Sequence, residues 1–208
     1  MKAIRRHLRT AKAAVQKGFT LIELAVVGLF LGLLAVFAIS QFSGAATDNT
    51  KAVAMFEASQ KISDNWAMLA QSCGVSSNVT TTVVGSGAAV TTAGKNLSML
   101  LGTAPASATY TSCYNSSGIR PLAGLATGAA GAEKFEGATI ELTSVDARNM
   151  GVVFKGVPSN VFEAVFLKYS GSTTLPLATA TAAASASVRF GYTAETGGTR
   201  DVTFVRPL

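Results

Sequence analysis

The sequence contains a single histidine, His7, which lies in a basic stretch at the amino end. Downstream of it there is no imidazole to act as a general base or as a metal ligand. No stretch matches a phosphate-binding loop, a dinucleotide-binding glycine fingerprint or the spacing of a metal site. Serine without histidine also makes no ordinary catalytic triad. We therefore predict no catalytic residues and no cofactor.

Charged residues are scarce, at 13% of the chain, and they are unevenly distributed. Lysine and arginine together number 17, against 11 aspartates and glutamates. Six of the bases fall in the first 18 residues, which contain no acid, so the chain from Phe19 onward is formally neutral. A neutral remainder offers no basic surface, and we predict no direct nucleic-acid partner. The six bases are Lys2, Arg5, Arg6, Arg9, Lys12 and Lys17.

Proline is absent from a long apolar stretch at residues 19–42, in which Glu23 is the only charged residue. As a helix this stretch spans ~36 Å, which is enough to cross the hydrocarbon core of a bilayer. A secretory signal is shorter and is cleaved after its apolar region, whereas the best junction here, Lys17–Phe19, precedes it. Cleavage at that junction would keep the anchor. Gly28 and Gly32 form a small-xxx-small pair that allows helices to approach closely.

The sequence has only two cysteines, Cys73 and Cys113, and both lie beyond the apolar stretch. The positive-inside rule places them across the membrane from the basic amino end, where an oxidising compartment permits them to pair. A disulfide would restrict the unfolded chain by roughly 4 kcal/mol. The alternative is two unpaired small hydrophobic residues.

After Gly44, apolar residues recur at steps of three and four, which predicts an amphipathic helix over residues 45–72. This helix should continue from the apolar stretch, end near Gln71 and pack its stripe against a sheet. Aromatic residues at helical spacing, such as Phe56 and Trp66, are typical of a core and not of a ligand site. The stripe consists of Val53, Phe56, Ile62, Trp66 and Leu69, with Ala52 and Ser59 between them.

Residues 73–208 are predicted to form a globular head with loops rich in Ser, Thr, Gly and Ala. Alternating apolar residues and turn signals predict an α+β fold with an antiparallel sheet. The predicted elements are a strand at Val79–Val84, a helix near Asn96–Leu101, strands at Ala138–Thr143 and Gly151–Lys155, a helix starting at Pro158–Asn160 and running through Tyr169, a loop at Pro176–Ser187, a strand with Val188, Phe190 and Tyr192 on one face, a turn at Glu195–Gly198, and a returning strand with Val202 and Phe204.

Three acids, Glu133, Glu136 and Glu141, are close enough in the chain to be considered as paired catalytic carboxylates or calcium ligands. The chain before them is rich in glycine and alanine, which is typical of loops. We therefore interpret all three as solvated loop charges and predict no metal site.

Residues 17–24 carry a family resemblance. The octet Lys17-Gly18-Phe19-Thr20-Leu21-Ile22-Glu23-Leu24 resembles the prepilin-peptidase motif of bacterial type IV pilins and their secretion-system relatives. The resemblance implies that a peptidase removes residues 1–18 at the cytoplasmic face and methylates the new amine of Phe19. Residues 19–44 would then form the transmembrane helix of the precursor and the core of a filament. An ionised Glu23 costs ~2.5–3.5 kcal/mol in an apolar helix, and the charged amine of a neighbouring copy would neutralise it.

The resemblance also implies a fold, a location and partners. A long N-terminal helix with an apolar first half packs against the antiparallel sheet of the head. The precursor lies in the bacterial inner membrane with its leader cytoplasmic and its head periplasmic, and the mature chain belongs to an extracellular pilus that serves adhesion, motility, DNA uptake or conjugal contact. The implied partners are other copies in a helical homopolymer, the prepilin peptidase, the inner-membrane assembly platform with its ATPase, and the outer-membrane secretin.

The subclass and the rival functions stay open. The run from Gly151 to Asn160, a strand and then a short helix, is similar to type IVb heads, which often have one cysteine in that helix and another near the C-terminus. This chain has Phe162 in the helix and no late cysteine, and a start at Phe19 is more typical of type IVa. A type II secretion pseudopilin and a minor, tip-located pilin share the leader. A membrane-tethered receptor is a further alternative, and it would not need cleavage.

Overall fold

The structure is a computed structural model that describes residues 21–208, and within the first helix it describes the side chains of residues 25–31 and of residue 46 onward. The chain divides into two compact units, Met1–Gly44 and Ala45–Leu208. The first helix, α1 (Leu21–Cys73), contributes residues to both units and ends slightly later than the predicted Gln71.

Helix α1 ends at a glycine cap. Gly74 takes up the left-handed backbone that favours glycine, with φ at 61°. The amides of Gly74 and Val75 donate to the carbonyls of Gln71 and Ala70, at 3.4 and 3.0 Å. This pair of bonds satisfies two carbonyls that the last turn of a helix leaves open, so the helix stops here.

The unit formed by residues 45–208 combines helices with one antiparallel sheet, and the predicted α+β class is confirmed. In this part of the chain, α1 is followed by the helices α2 (Thr92–Leu100), α3 (Thr111–Ser116) and α4 (Ser159–Tyr169). The strands are β1 (Lys134–Phe135), β2 (Ala138–Ser144), β3 (Asn149–Pro158), β4 (Phe190–Tyr192) and β5 (Thr199–Pro207). They lie in the order β1-β2-β3-β5-β4, and each neighbouring pair is antiparallel.

The central strands form because their apolar residues alternate and face one core. Ile140 on β2 pairs with Phe154 on β3, which in turn pairs with Val202 on β5, and all three side chains are buried. The β3–β5 register shifts after Phe154, where Gly156 has a positive φ of 74°. The Asp201 carboxylate accepts the Gly156 amide at 3.0 Å, so the bulge has its own hydrogen bond.

The apolar stripe predicted for residues 45–72 of α1 packs into the same core. Trp66 is fully buried, and Phe56 is half-buried with its ring stacked on Tyr169 at 4.2 Å and edge-on to Phe204 at 5.8 Å. The prediction that both aromatics are core residues is confirmed. Met55, which the periodicity did not single out, is also fully buried. The other predicted stripe residues are buried at Ala52, Ser59, Ile62 and Leu69 and half-buried at Val53.

The predicted strand at Val79–Val84 is wrong, and the reason is one buried side chain. Asn96 on α2 is 0% exposed. Its carboxamide hydrogen-bonds four backbone groups, three in this segment and one at Gly85. These bonds occupy backbone groups that a β-ladder would use, and the segment is left with one isolated bridge at its end, between Gly85 and Ala106. The four bonds run from Val84 N and Gly85 N to Asn96 Oδ1, at 2.9 and 3.0 Å, and from Asn96 Nδ2 to Val79 O and Thr82 O, both at 2.9 Å.

The predictions for the carboxyl-terminal elements are mostly confirmed. The β2–β3 pair, α4, the turn at Gly197-Gly198 and the β4–β5 hairpin are all present. Val188 is an exception, because it precedes β4 and is exposed. The loop predicted at Pro176–Ser187 covers the open edge of β4, because Ala182 in this loop and Tyr192 on β4 exchange backbone hydrogen bonds of 2.9 and 2.8 Å. Helix α2 begins earlier than predicted and is capped by the Thr91 hydroxyl, and α3 was not predicted.

Candidate functional site

The amino-terminal part of α1 is both apolar and exposed. The side chains described there belong to residues 25–31, which cover about two helical turns and therefore point all round the axis. Monomeric soluble proteins seldom expose a contiguous apolar surface of this kind. Over the described residues, no helix is both long and apolar enough to cross a bilayer. The exposed large residues are Val26 at 49%, Val27 at 52%, Leu29 at 63%, Phe30 at 62% and Leu31 at 61%.

The predicted processing and assembly residues are described only in part. Gly18 and Phe19, the predicted cleavage junction, lie outside the described residues. Glu23 and Gly32 lie on α1, at positions whose side-chain surroundings are outside the described set. Gly28 lies in the exposed apolar stretch, and a Cβ added to it would meet open space within the described part of the chain. Cleavage, methylation and close packing between copies stay predictions.

The predicted disulfide between Cys73 and Cys113 is present, with Cα atoms 5.2 Å apart and a sequence separation of 40. It joins the last residue of α1 to α3, a helix with no buried side chain. Within the segment around α3, Tyr110 and Tyr114 are half-buried against the core. The cross-link therefore holds a surface segment to the end of the long helix.

Breaking this disulfide is expected to lower the free energy of unfolding by about 3–4 kcal/mol, because the unfolded chain regains the freedom of a long loop. The double variant Cys73→Ala/Cys113→Ala and the reduced native protein should share the same lowered denaturant midpoint. The measurement uses the full chain in mild detergent, with Ser112→Ala, an exposed neighbour of Cys113, as the control. Equal midpoints with and without reductant would contradict the expectation.

The prediction of solvated loop charges is confirmed for Glu136 and only in part for Glu141, which is exposed but lies on strand β2. Glu136 and Glu141 are exposed, and each lies near a lysine, Lys51 at 3.9 Å and Lys155 at 2.8 Å. Exposed pairs of this kind contribute little to stability. Among the described residues there is no group of three or more His, Cys, Asp or Glu side chains able to hold a metal ion.

The prediction for Glu133 is wrong, because this side chain is 2% exposed. Its Oε1 accepts from the hydroxyls of Ser98 and Thr103, the latter at 2.8 Å, and its Oε2 accepts the Gly131 amide at 3.0 Å. A buried carboxylate is tolerated when donors surround it in this way. Glu133 thus ties the loop before β1 to α2, and its role is structural. No local pattern signals this, since Ser98 is 35 residues away in the chain.

A second side chain that sequence reasoning missed is Arg206 on β5, which fastens the sheet to α1. Its guanidinium donates to the Ser59 hydroxyl at 2.8 and 3.0 Å and to the Phe56 carbonyl at 3.2 Å, and it lies over the Phe56 ring at 4.0 Å. Burial lowers the pKa of Arg206, and the Coulombic attraction of Asp64 acts in the opposite direction. An arginine guanidinium is effectively always charged in proteins, so these contacts are made by a cation.

Arg200 organises the loop over the other end of the sheet. It is only 3% exposed, and its guanidinium lies over the Phe162 ring at 4.6 Å. It donates to the carbonyl of Leu177 at 2.9 Å and lies 3.8 Å from the Glu195 carboxylate. Like Arg206, this residue packs its guanidinium against aromatic rings of the core.

No protein-family model, curated protein or solved structure matches this chain. A proposal for its function therefore rests on the residues themselves. The features that can support it are the basic stretch at residues 1–18, the octet at residues 17–24, the exposed apolar residues 25–31 and the α+β fold of residues 45–208.

Proposed function

We propose that this chain is a structural subunit of a type IV pilus. It is made as a precursor in the inner membrane, cut between Gly18 and Phe19, and polymerised through its N-terminal helix. The observation that carries the proposal is the exposure of residues 25–31. These apolar side chains need a covering surface that the described part of a single chain does not supply.

Two surfaces fit that need in succession. In the precursor, lipid covers the apolar turns, and in the filament the same turns of other copies cover them. Burying a large aliphatic or aromatic side chain contributes about 1.5–3 kcal/mol relative to water, so five of them amount to roughly 10 kcal/mol per subunit. A helix of this kind is therefore stable in lipid or in a bundle. When the subunit leaves the membrane, the helices of other copies must cover its apolar surface.

The charges at the start of the helix determine how neighbouring helices are staggered in the filament. A carboxylate at Glu23 is unfavourable in an apolar bundle unless a cation meets it. After cleavage, the amine of Phe19 is such a cation, and methylation keeps its charge. Glu23 of one copy then pairs with the amine of the next, which favours one stagger between neighbouring helices over all others.

The head supports a structural role as well. From residue 46 onward, α1 packs on the antiparallel sheet, and Arg206 and the Cys73–Cys113 disulfide fasten two points along it. Tension on a filament helix would therefore pass into a head that is cross-linked to it. An exported fibre needs a subunit of this kind, since it works outside the cell without repair.

The test is mass spectrometry of the mature chain together with electron microscopy of sheared surface material. The expected result is a polypeptide that starts at Phe19, carries one added methyl group and is the main component of thin fibres. A native chain that still begins at Met1 and stays monomeric in its bilayer would contradict the proposal.

The same leader also serves type II secretion pseudopilins and minor pilins, and the fibre experiment separates these cases. A major pilin is abundant in sheared material, and its deletion removes long surface fibres. A pseudopilin leaves surface fibres in place on deletion and blocks the export of folded proteins. A minor pilin is present in the fibres at a small fraction of the major subunit.

A further inference from the structure

The head contains three triplets in which asparagine is followed two residues later by serine or threonine. Such triplets are acceptors for N-linked glycans in exported proteins, although the triplet alone has low specificity. Their surroundings differ sharply, which allows the structure to distinguish them. The triplets are Asn78-Val79-Thr80, Asn96-Leu97-Ser98 and Asn115-Ser116-Ser117.

The triplet at Asn96 is closed to modification. Its carboxamide is 0% exposed, and the nitrogen that a glycan would occupy donates to two backbone carbonyls. Leu97 and Ser98 are also buried. A sugar on this nitrogen is incompatible with the folded head.

The triplet at Asn78 is anchored. Its Oδ1 accepts the amide and the hydroxyl of Thr80 at 3.0 and 2.7 Å, so the Asn78 side chain itself closes this turn. The central residue, Val79, is 0% exposed, and its carbonyl accepts from Asn96. Lifting this triplet into an enzyme would pull a core side chain, Val79, into water.

The triplet at Asn115 is accessible. Asn115 and Ser116 are exposed, and the half-buried Ser117 donates its hydroxyl to the Tyr114 carbonyl at 2.7 Å, a bond within one helical turn that local opening would free. A helix of six residues is marginal in water, and Gly118 follows it with a positive φ of 72°, so local opening costs little. The disulfide at Cys113 keeps the opened segment attached to the head. It also indicates the oxidising compartment in which exported proteins are glycosylated.

We propose that Asn115 is the attachment site of an N-linked oligosaccharide on the head. The donor class is an oligosaccharide carried on a polyprenyl diphosphate. Asn115 Nδ2 forms a bond to the anomeric carbon of the sugar, and the bond from that carbon to the diphosphate oxygen breaks. The lipid diphosphate leaves with the electron pair, the proton released from Nδ2 goes to a base of the transferase, and no atom changes oxidation state.

The experiment maps glycopeptides of the full chain purified from the cells that make it. The expected result is glycan on Asn115 and unmodified peptides at Asn78 and Asn96. Asn115→Gln and Ser117→Ala each reduce the modified fraction to below detection, whereas Ser117→Thr, which keeps the hydroxyl, and Asn78→Gln leave it unchanged. The melting temperature of each variant is measured alongside, so that loss of glycan is separated from loss of fold.

An unmodified Asn115 in the native protein would overturn the proposal, and so would glycan on Asn78 or Asn96. The proposal needs an exported head but does not need a filament. Glycan on a chain that never enters filaments would overturn only the pilus function, and unmodified chains in filaments would overturn only the glycan site.

Discussion

Replacing Glu23 with alanine is expected to leave the precursor inserted in the membrane and to remove the chain from filaments. Insertion is unaffected because alanine in an apolar helix avoids the cost of ~2.5–3.5 kcal/mol that the carboxylate carries. Assembly fails because the amine of Phe19 in the neighbouring copy is left without its partner in an apolar bundle. Removing one member of a buried ion pair costs about 3–5 kcal/mol, and each 1.4 kcal/mol is a factor of about ten in affinity. We therefore expect the incorporated fraction to fall at least about a hundredfold.

The measurement compares the chain in sheared fibres with the chain in the membrane fraction. Glu57→Ala is the matched control, because Glu57 is an exposed acid on the same helix, and it should leave incorporation unchanged. Glu23→Gln should behave like Glu23→Ala, since the amide is close in size and lacks the charge. Filaments of normal abundance from either Glu23 variant would show that the carboxylate has no role in assembly.

The parts of the fold that local patterns predict are those whose partners lie next to them in the chain. Strands β2 and β3 are joined by a short turn, so the alternation that buries Ile140 also places Phe154 opposite it. Helix α4 follows β3 directly, and its apolar residues repeat at helical spacing. Such elements are determined by the spacing of apolar residues and by turn residues, and both can be recognised in a short stretch of sequence.

The parts that could not be predicted depend on single polar side chains with distant partners. Val79–Val84 consists only of Val and Thr, which favour strands, but the buried Asn96 side chain hydrogen-bonds its backbone groups. Glu133 looks like a solvated charge in a glycine-rich loop, but three donors from α2 and its surroundings enclose it. Arg200 is another example, because its carbonyl partner at Leu177 is 23 residues away.

The residues predicted to act in assembly, Phe19, Glu23, Gly28 and Gly32, differ in that their signal lies in consecutive sequence. That signal is in the octet at residues 17–24 and the apolar run after it, so the sequence alone predicts what the residues do. The geometry is not local, because Glu23 and Phe19 are expected to meet across two copies. The structure of a single chain adds only that residues 25–31 are exposed, and the partner surface belongs to the proposal.

Replacing Asn96 with leucine is expected to destabilise the head more than any surface substitution, although the two side chains are similar in size. The change leaves two amides and two carbonyls without their partner in the core. Each buried group left unsatisfied costs about 1–3 kcal/mol, so the free energy of unfolding should fall by at least about 4 kcal/mol. A loss of that size is comparable with the whole stability of a small domain, about 5–15 kcal/mol.

The loss is measured from the denaturant midpoint of the mature chain in mild detergent, with Asn115→Leu as the matched control. Asn115 is exposed, so the same exchange there should change the free energy of unfolding by less than about 0.5 kcal/mol. Asn96→Asp keeps the acceptor for Val84 and Gly85 but removes the donor to Val79 and Thr82, and it buries a charge. It should therefore also be strongly destabilised, and more so at neutral than at acidic pH, where the carboxyl is protonated and can again donate. A loss below about 1 kcal/mol for Asn96→Leu would mean that water or a rearranged turn satisfies the segment, and that Asn96 does not decide its shape.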